Sequence, residues 1–269
     1  MRIVPILIAT TFTILTVSCH RNGDSPDAPG TRLKEVITRQ PIRDSNVFAF
    51  FNYNSNGQLI RYVDSFHLLT DSNQYADVVF SYPLQYDAQG NMEKIDYREG
   101  SPFAALYDLR AYSAQNLLMQ NTHVNQYAGD TSITRYVYDS GNRLTADSTF
   151  DNINPGKINF STYDYDNNGN IVAWKRFSDS SGIVTAIDSS EITYDDNRNP
   201  YYSFGMNLYS LRNKEQLLSK NNIIQQRFSD GSVFNYQYSY FSNGLPKDVY
   251  ITVTSSSFIP NREFHFIYE

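Results

Sequence analysis

The chain has 269 residues, of which 41% are hydrophobic and 15% aromatic, with 22 tyrosines and 17 phenylalanines and a formal net charge of -6. The acidity is spread through turn-like stretches and no basic patch interrupts it, which argues against nucleic acid as a partner. A single cysteine excludes a disulfide framework and a thiolate metal site.

Met1 and Arg2 form a short charged segment, and residues 3–17 are an apolar, threonine-rich run too short to span a bilayer comfortably. The segment Leu15-Thr16-Val17-Ser18-Cys19 resembles a bacterial lipoprotein signal, with Ser18 where a small residue is preferred and Thr16 where an aliphatic one is usual. That resemblance implies removal of residues 1–18 and lipid attachment at Cys19, so the membrane is contacted through the amino-terminal lipid. The next stretch, residues 20–30, carries Gly23, Pro26, Pro29 and Gly30 without apolar periodicity, the composition of a flexible tether. The reading divides the chain into a signal (1–18), an anchor and tether (19–38) and a β domain (39–269).

Within that domain one seven-residue phrase recurs, starting at Tyr53, Tyr86, Tyr112, Tyr138, Tyr165, Tyr194 and Tyr240 and ending at Leu59, Met92, Leu118, Leu144, Ile171, Pro200 and Pro246. Its fifth position is Gly57, Gly90, Asn116, Asn142, Arg198 or, in the copies starting at Tyr165 and Tyr240, Gly169 and Gly244. Glycine and asparagine tolerate positive φ, so the phrase predicts a tight turn between two strands. A period of this length means an array of one supersecondary unit, here a β-hairpin. Flanking segments alternate with period two: Phe234, Tyr236, Tyr238 and Tyr240 share one face, and Asn235, Gln237 and Ser239 the other. The same pattern recurs at residues 78–86 and 264–268. The prediction is an all-β antiparallel meander of about 14–16 strands, curved or barrel-like, with the short turns on one edge and the longer connections on the other. The interval between Tyr194 and Tyr240 is longer than the others and interrupts the rhythm. Leu208, Leu211 and Leu218 within it can share a face, which predicts one short helix, read as a cap on an open end of the core with a mobile functional lid as the alternative.

Tyr165-Asp166-Asn167-Asn168-Gly169-Asn170-Ile171 and Tyr53-Asn54-Ser55-Asn56-Gly57-Gln58-Leu59 resemble the YD repeats of Rhs-type shell proteins. Together with the leader, Asn199-Pro200 and Leu218-Ser219-Lys220-Asn221-Asn222, they make the chain similar, over about residues 40–269, to a Bacteroidota envelope lipoprotein family of unknown function with a porin-like fold. The resemblance implies an outer-membrane lipoprotein, facing the periplasm or the outside, and brings no catalytic residues with it. The phrase departs from the YD pattern at Ser113, Arg198 and Phe241, where distorted turns are expected. Aromatics run along whole strands rather than in two girdles, which favours a water-exposed sheet with an aromatic interior over a lipid-spanning pore.

Chemistry-bearing motifs are few. His20, His67, His123 and His265 lie far apart and read as surface or strand histidines, and no serine elbow or phosphate-cradling loop occurs. Asp164-Tyr165-Asp166-Asn167-Asn168-Gly169 copies the first half of a calcium loop, but Lys175 stands where the bidentate carboxylate is required, so the segment reads as a turn without metal. No cofactor is expected. Trp174 falls on the face opposite Ile171 by strict alternation, and the aromatic faces suit stacking on a glycan or a small amphiphile. The expectation is a non-enzymatic binding or structural module. The alternative is a loop-borne hydrolase using Asp147, Asp151, Asp179 or Asp188.

Overall fold

The computed structural model describes residues 31–40, 43–69, 75–97, 105–208, 213–254 and 261–269. The signal, Cys19 and His20 lie outside the described residues. The first strands are β1 (Leu33–Gln40), β2 (Arg43–Tyr53), β3 (Leu59–Leu69), β4 (Tyr75–Tyr86), β5 (Met92–Asp96) and β6 (Leu106–Tyr112). They continue as β7 (Leu118–Asn125), β8 (Asp130–Tyr138), β9 (Leu144–Asp151), β10 (Lys157–Tyr165), β11 (Ile171–Ser180) and β12 (Ile183–Arg198). After an insertion come β13 (Asn221–Phe228), β14 (Val233–Tyr240), β15 (Pro246–Thr254) and β16 (Arg262–Tyr268). Each strand pairs antiparallel with its sequence neighbours, and β16 returns to β1 to close a 16-stranded barrel. Closure removes both sheet edges. Because β1 starts at Leu33, the barrel takes in residues 33–38, which the division of the chain placed in the anchor and tether segment.

The hairpins follow from local chemistry. In the turn that starts at Tyr138, the Asn142 amide donates to the Asp139 carbonyl (3.0 Å), and the Asp139 amide donates to the Arg143 carbonyl (3.0 Å). Asp139 Oδ1 accepts from the amides of Gly141 (2.8 Å) and Arg143 (2.9 Å). This is a three-residue loop whose last residue is left-handed. Gly57, Gly90, Asn116, Asn142, Gly169 and Gly244 all have φ between +59° and +89°. The expected distortion at Ser113 and Phe241 does not occur. Ser113 Oγ receives the amides of Gln115 and Leu117 as an aspartate would, and the Phe241 turn keeps both backbone bonds. Only the copy at Arg198 opens: β12 runs straight through it, and the residue that pairs with Tyr194 is Ile223 rather than Pro200.

Each hairpin also carries a bulge beside its tyrosine, with register shifting at Tyr53, Tyr86, Tyr112, Tyr138, Tyr165, Tyr194 and Tyr240. A bulge adds one residue to a strand and resets its alternation. The returning strands therefore bury residues three apart, as in Met92 and Ile95, Leu144 and Asp147, and Pro246 and Val249. Trp174 is consequently on the same face as Ile171, paired with the buried Tyr163, which corrects the outward placement expected from strict alternation.

Polarity is organised inside to outside. Tyr62, Ile95, Tyr136, Tyr163, Ile192 and Val249 point into the barrel and are buried, while the adjacent Arg61, Lys94, Arg135, Asp164, Glu191 and Asp248 face outward. Apolar groups also reach the outer wall, as at Leu109, Met119 and Tyr250, and on β8–β11 Ile133, Phe150 and Ile158 stand side by side while Phe160 stacks on Phe177 at 4.9 Å. A membrane barrel instead presents a continuous apolar band outward.

The insertion contains two short helical segments instead of one: a 3-10 stretch over Pro200–Leu208, kinked at Gly205, and helix α1 (Lys214–Leu218). Phe204, Leu208 and Leu217 are buried with Phe51, Tyr62 and Ile95, so the insertion caps the core. Leu218 and Tyr236 pack against both halves of that core, making it continuous across the barrel.

Candidate functional site

The tyrosines at the turn rim form a circuit. Each hydroxyl donates to the carbonyl of the residue at which the preceding hairpin ends: Tyr86 to Leu59 (2.5 Å), Tyr112 to Met92 (2.8 Å), Tyr138 to Leu118 (2.8 Å), Tyr165 to Leu144 (2.9 Å) and Tyr194 to Ile171 (2.6 Å). At the barrel seam, Tyr53 donates to Leu33 and Tyr268 to Pro246. Tyr240 is the exception, its hydroxyl going to Asp195 at the opened turn. Burial pushes the hydroxyls of Tyr86, Tyr138 and Tyr165 well above the ordinary phenol range, so they remain neutral donors. The repeated tyrosine is therefore a hydrogen-bonding fastener between successive hairpins, and only part of each ring remains open to ligand.

The insertion is held at its neck and at its tip. Asn199 Nδ2 donates to the carbonyls of Gln216 and Ser219, the Asn199 amide donates to the Lys220 carbonyl (2.8 Å), and Ser219 Oγ is shared by the Ile171 amide and the Tyr194 hydroxyl. Asn170 and Asn221 exchange two 3.0 Å hydrogen bonds. The motif from Leu218 to Asn222 is thus the closing seam of the insertion. Farther in, Lys214 Nζ reaches Asp147 Oδ2 at 2.5 Å, and Tyr163 donates to the same oxygen at 2.5 Å. Burial lowers the Lys214 ammonium pKa against the opposing pull of Asp147. Arg110, also buried, donates from Nη1 to the carbonyls of Met206 and Asn207, both at 3.0 Å.

Between the turns and the insertion lies a concave vestibule of about 820 Å³. Five turns wall it, those that follow Tyr53, Tyr86, Tyr112, Tyr138 and Tyr165, and residues 202–207 back it. Amides dominate the polar wall, among them Gln58, Gln89, Asn91, Asn116, Asn142 and Asn167. Gly57, Gly90, Asn116, Asn142 and Gly169 therefore line this vestibule, whereas Gly244 lies apart from it, beside Asn197. The vestibule was not legible as a site, because a repeat identifies a turn without saying that five turns surround one hollow.

The other candidates are dispersed. Asp151 and Asp179 accept backbone amides in separate turns, from Ile153 and Gly182, Asp188 faces Arg176 at 3.9 Å, and Asp147 holds Lys214. Each of the four carboxylates proposed for a hydrolase is thus committed to its own partner. Asp164 faces outward, while Asp166 turns back to the Asn170 amide (2.8 Å), so the calcium-loop pattern does not direct its oxygens to a common point. His123 Nδ1 lies 2.7 Å from the fully buried Asp108, which also accepts from Tyr97 at 2.8 Å. That hydrogen bond raises the His123 pKa above the ordinary imidazole value. His265 pairs with Asp248 on the outer wall, and His67 is in β3.

Neither protein-family models nor curated proteins match the chain. Solved structures do. A porin-like protein from Bacteroides uniformis is 14% identical with a TM-score of 0.61, the match covering 90% of this chain and 98% of that one. A porin-like protein from Bacteroides vulgatus is 11% identical with a TM-score of 0.52, covering 88% of this chain and 98% of that one. The chain shares the barrel fold of these two proteins over nearly their whole lengths.

Proposed function

We propose that the protein is a lipid-anchored module of a bacterial cell envelope that binds an oligosaccharide in the turn-rim vestibule without catalysing a reaction. The vestibule carries this reading. Its 820 Å³ falls within the roughly 300–1,000 Å³ typical of ligand pockets. Side-chain amides and turn backbone offer donors and acceptors for sugar hydroxyls, and the exposed parts of the tyrosine rings offer flat apolar area. The barrel interior cannot serve as an open channel along the capped half, where the insertion packs against both walls. The envelope location is supported by the signal-like amino end and by the likeness in fold to porin-like proteins of Bacteroides.

The test is binding of oligosaccharide fragments to the full chain in detergent, by glycan array and then by calorimetry. Gln89 and Asn167 are exposed on two of the walling turns. A Gln89→Ala/Asn167→Ala protein is expected to keep its stability and to bind about tenfold more weakly, a loss of about 1.4 kcal/mol. Absence of any oligosaccharide binding at about millimolar concentration removes this reading and leaves a purely structural role.

A further inference from the structure

The vestibule is lined by three cations and no carboxylate. Arg32, Arg143 and Lys220 reach it in a chain whose formal net charge is -6, so the lining runs against the charge of the molecule as a whole. Three aspartates occur in the same turns, but their oxygens are turned elsewhere. Asp87, Asp139 and Asp166 accept amides of their own turns, and Asp139 also takes the Arg143 guanidinium at 2.7 Å. Among the described residues Arg32 and Lys220 form no ion pair. The Arg32 guanidinium lies over the Tyr53 ring at 5.7 Å and would meet a Cβ added at Gly57 at 3.1 Å. Lys220 lies against Gly169 in the same way, its Cε 3.4 Å from the position of an added Cβ.

A fourth cation stands behind the lining. Arg110 is 8% exposed, and it donates to neutral acceptors, among them the carbonyls of Met206 and Asn207 and the sulfur of Met92. Its Nε and Nη2 are buried and have no partner among the described residues. Met206 and Asn207 themselves line the vestibule, so a guanidinium with no ion pair among the described residues backs its wall. A half-enclosed hollow with low-dielectric walls concentrates the field of such charges on whatever enters it.

We propose that the vestibule selects acidic oligosaccharides, with the anionic groups of the sugar drawn to Arg32 and Lys220 and the neutral hydroxyls held by the amides. This rests on the oligosaccharide reading above and adds the charge of the substrate class. The anion can be a uronate carboxylate or a sulfate ester, since both present oxygens to guanidinium and ammonium donors.

The discriminating experiment is calorimetry on the full chain in detergent with three probes of equal length: an oligogalacturonate, its fully methyl-esterified form and a sulfated oligosaccharide. Expected at about 50 mM salt is a preference of about tenfold for an acidic probe over the methyl ester, shrinking severalfold at about 0.5 M salt because these charges are partly exposed. Arg32→Gln/Lys220→Gln should abolish the preference, bringing the affinity for the acidic probe down to that for the methyl ester. Should the double variant fold poorly, Lys220→Gln alone, at an exposed position, is expected to reduce it by severalfold. An advantage for the sulfated probe only identifies the anion as a sulfate ester. Binding of neither acidic probe more tightly than the methyl ester overturns charge selection and leaves the oligosaccharide reading intact, and so does a salt-insensitive preference that survives the double variant. Failure of all three probes to bind removes both.

Discussion

Gly90 sits at φ +84° with no atom within 4 Å of where a Cβ would stand, so the cost of a side chain there is backbone strain alone. Gly90→Ala is expected to destabilise the protein by about 1–2 kcal/mol, the penalty for a left-handed alanine. Asn142→Gly, at φ +62°, is expected to change stability by less than about 0.5 kcal/mol, since relief of strain is offset by greater freedom in the unfolded chain. Urea-unfolding midpoints of the two variants check the contrast; equal effects would mean that the fifth position is not governed by its backbone conformation. These six positions were legible because the left-handed conformation restricts residue type directly. The direction of Trp174 was not, because a bulge resets the alternation and no residue type announces a bulge as strongly as glycine announces positive φ.

At the scale of elements, the hairpins were legible and their joints were not. A repeated tyrosine predicts a strand end, but its hydroxyl bond to the preceding hairpin depends on which strand lies next to it. The bulges left a trace that simple period-two reading passes over: the aliphatic residue ending each phrase is followed three positions later by another inward residue, as in Leu118 and Asn121 or Leu144 and Asp147. The insertion is the element on which the cap depends. Lys214 and Asp147 are both largely buried, and removing one partner leaves the other charge without compensation. Lys214→Met is therefore expected to destabilise the protein by about 3–5 kcal/mol and to render residues 199–220 sensitive to protease. Lys214→Met/Asp147→Leu should recover much of that loss, as measured by the unfolding midpoint and by proteolysis. A double variant no more stable than the single would show that the pair does not latch the insertion.

For the molecule as a whole, the outward charges bear on what can surround the wall. An outward Arg or Lys at the middle of a bilayer costs about 2–4 kcal/mol each, and Arg61, Lys94 and Arg135 all face outward from the strands. Replacing Cys19 with Ser is accordingly expected to yield a folded protein that partitions into the aqueous phase; a variant that still needs detergent and resists carbonate extraction would put the wall itself in lipid. Sequence by itself determined the strand class, the strand number to within two, the edge on which the turns lie and the place of the insertion. Each of these is written in local terms: residue tolerance of φ, periodicity and spacing. Closure of β16 onto β1, the inward turn of Trp174, the Lys214–Asp147 pair and the cationic vestibule were decided only by tertiary structure. They depend on register and curvature summed over sixteen strands, which bring together residues that no local pattern relates.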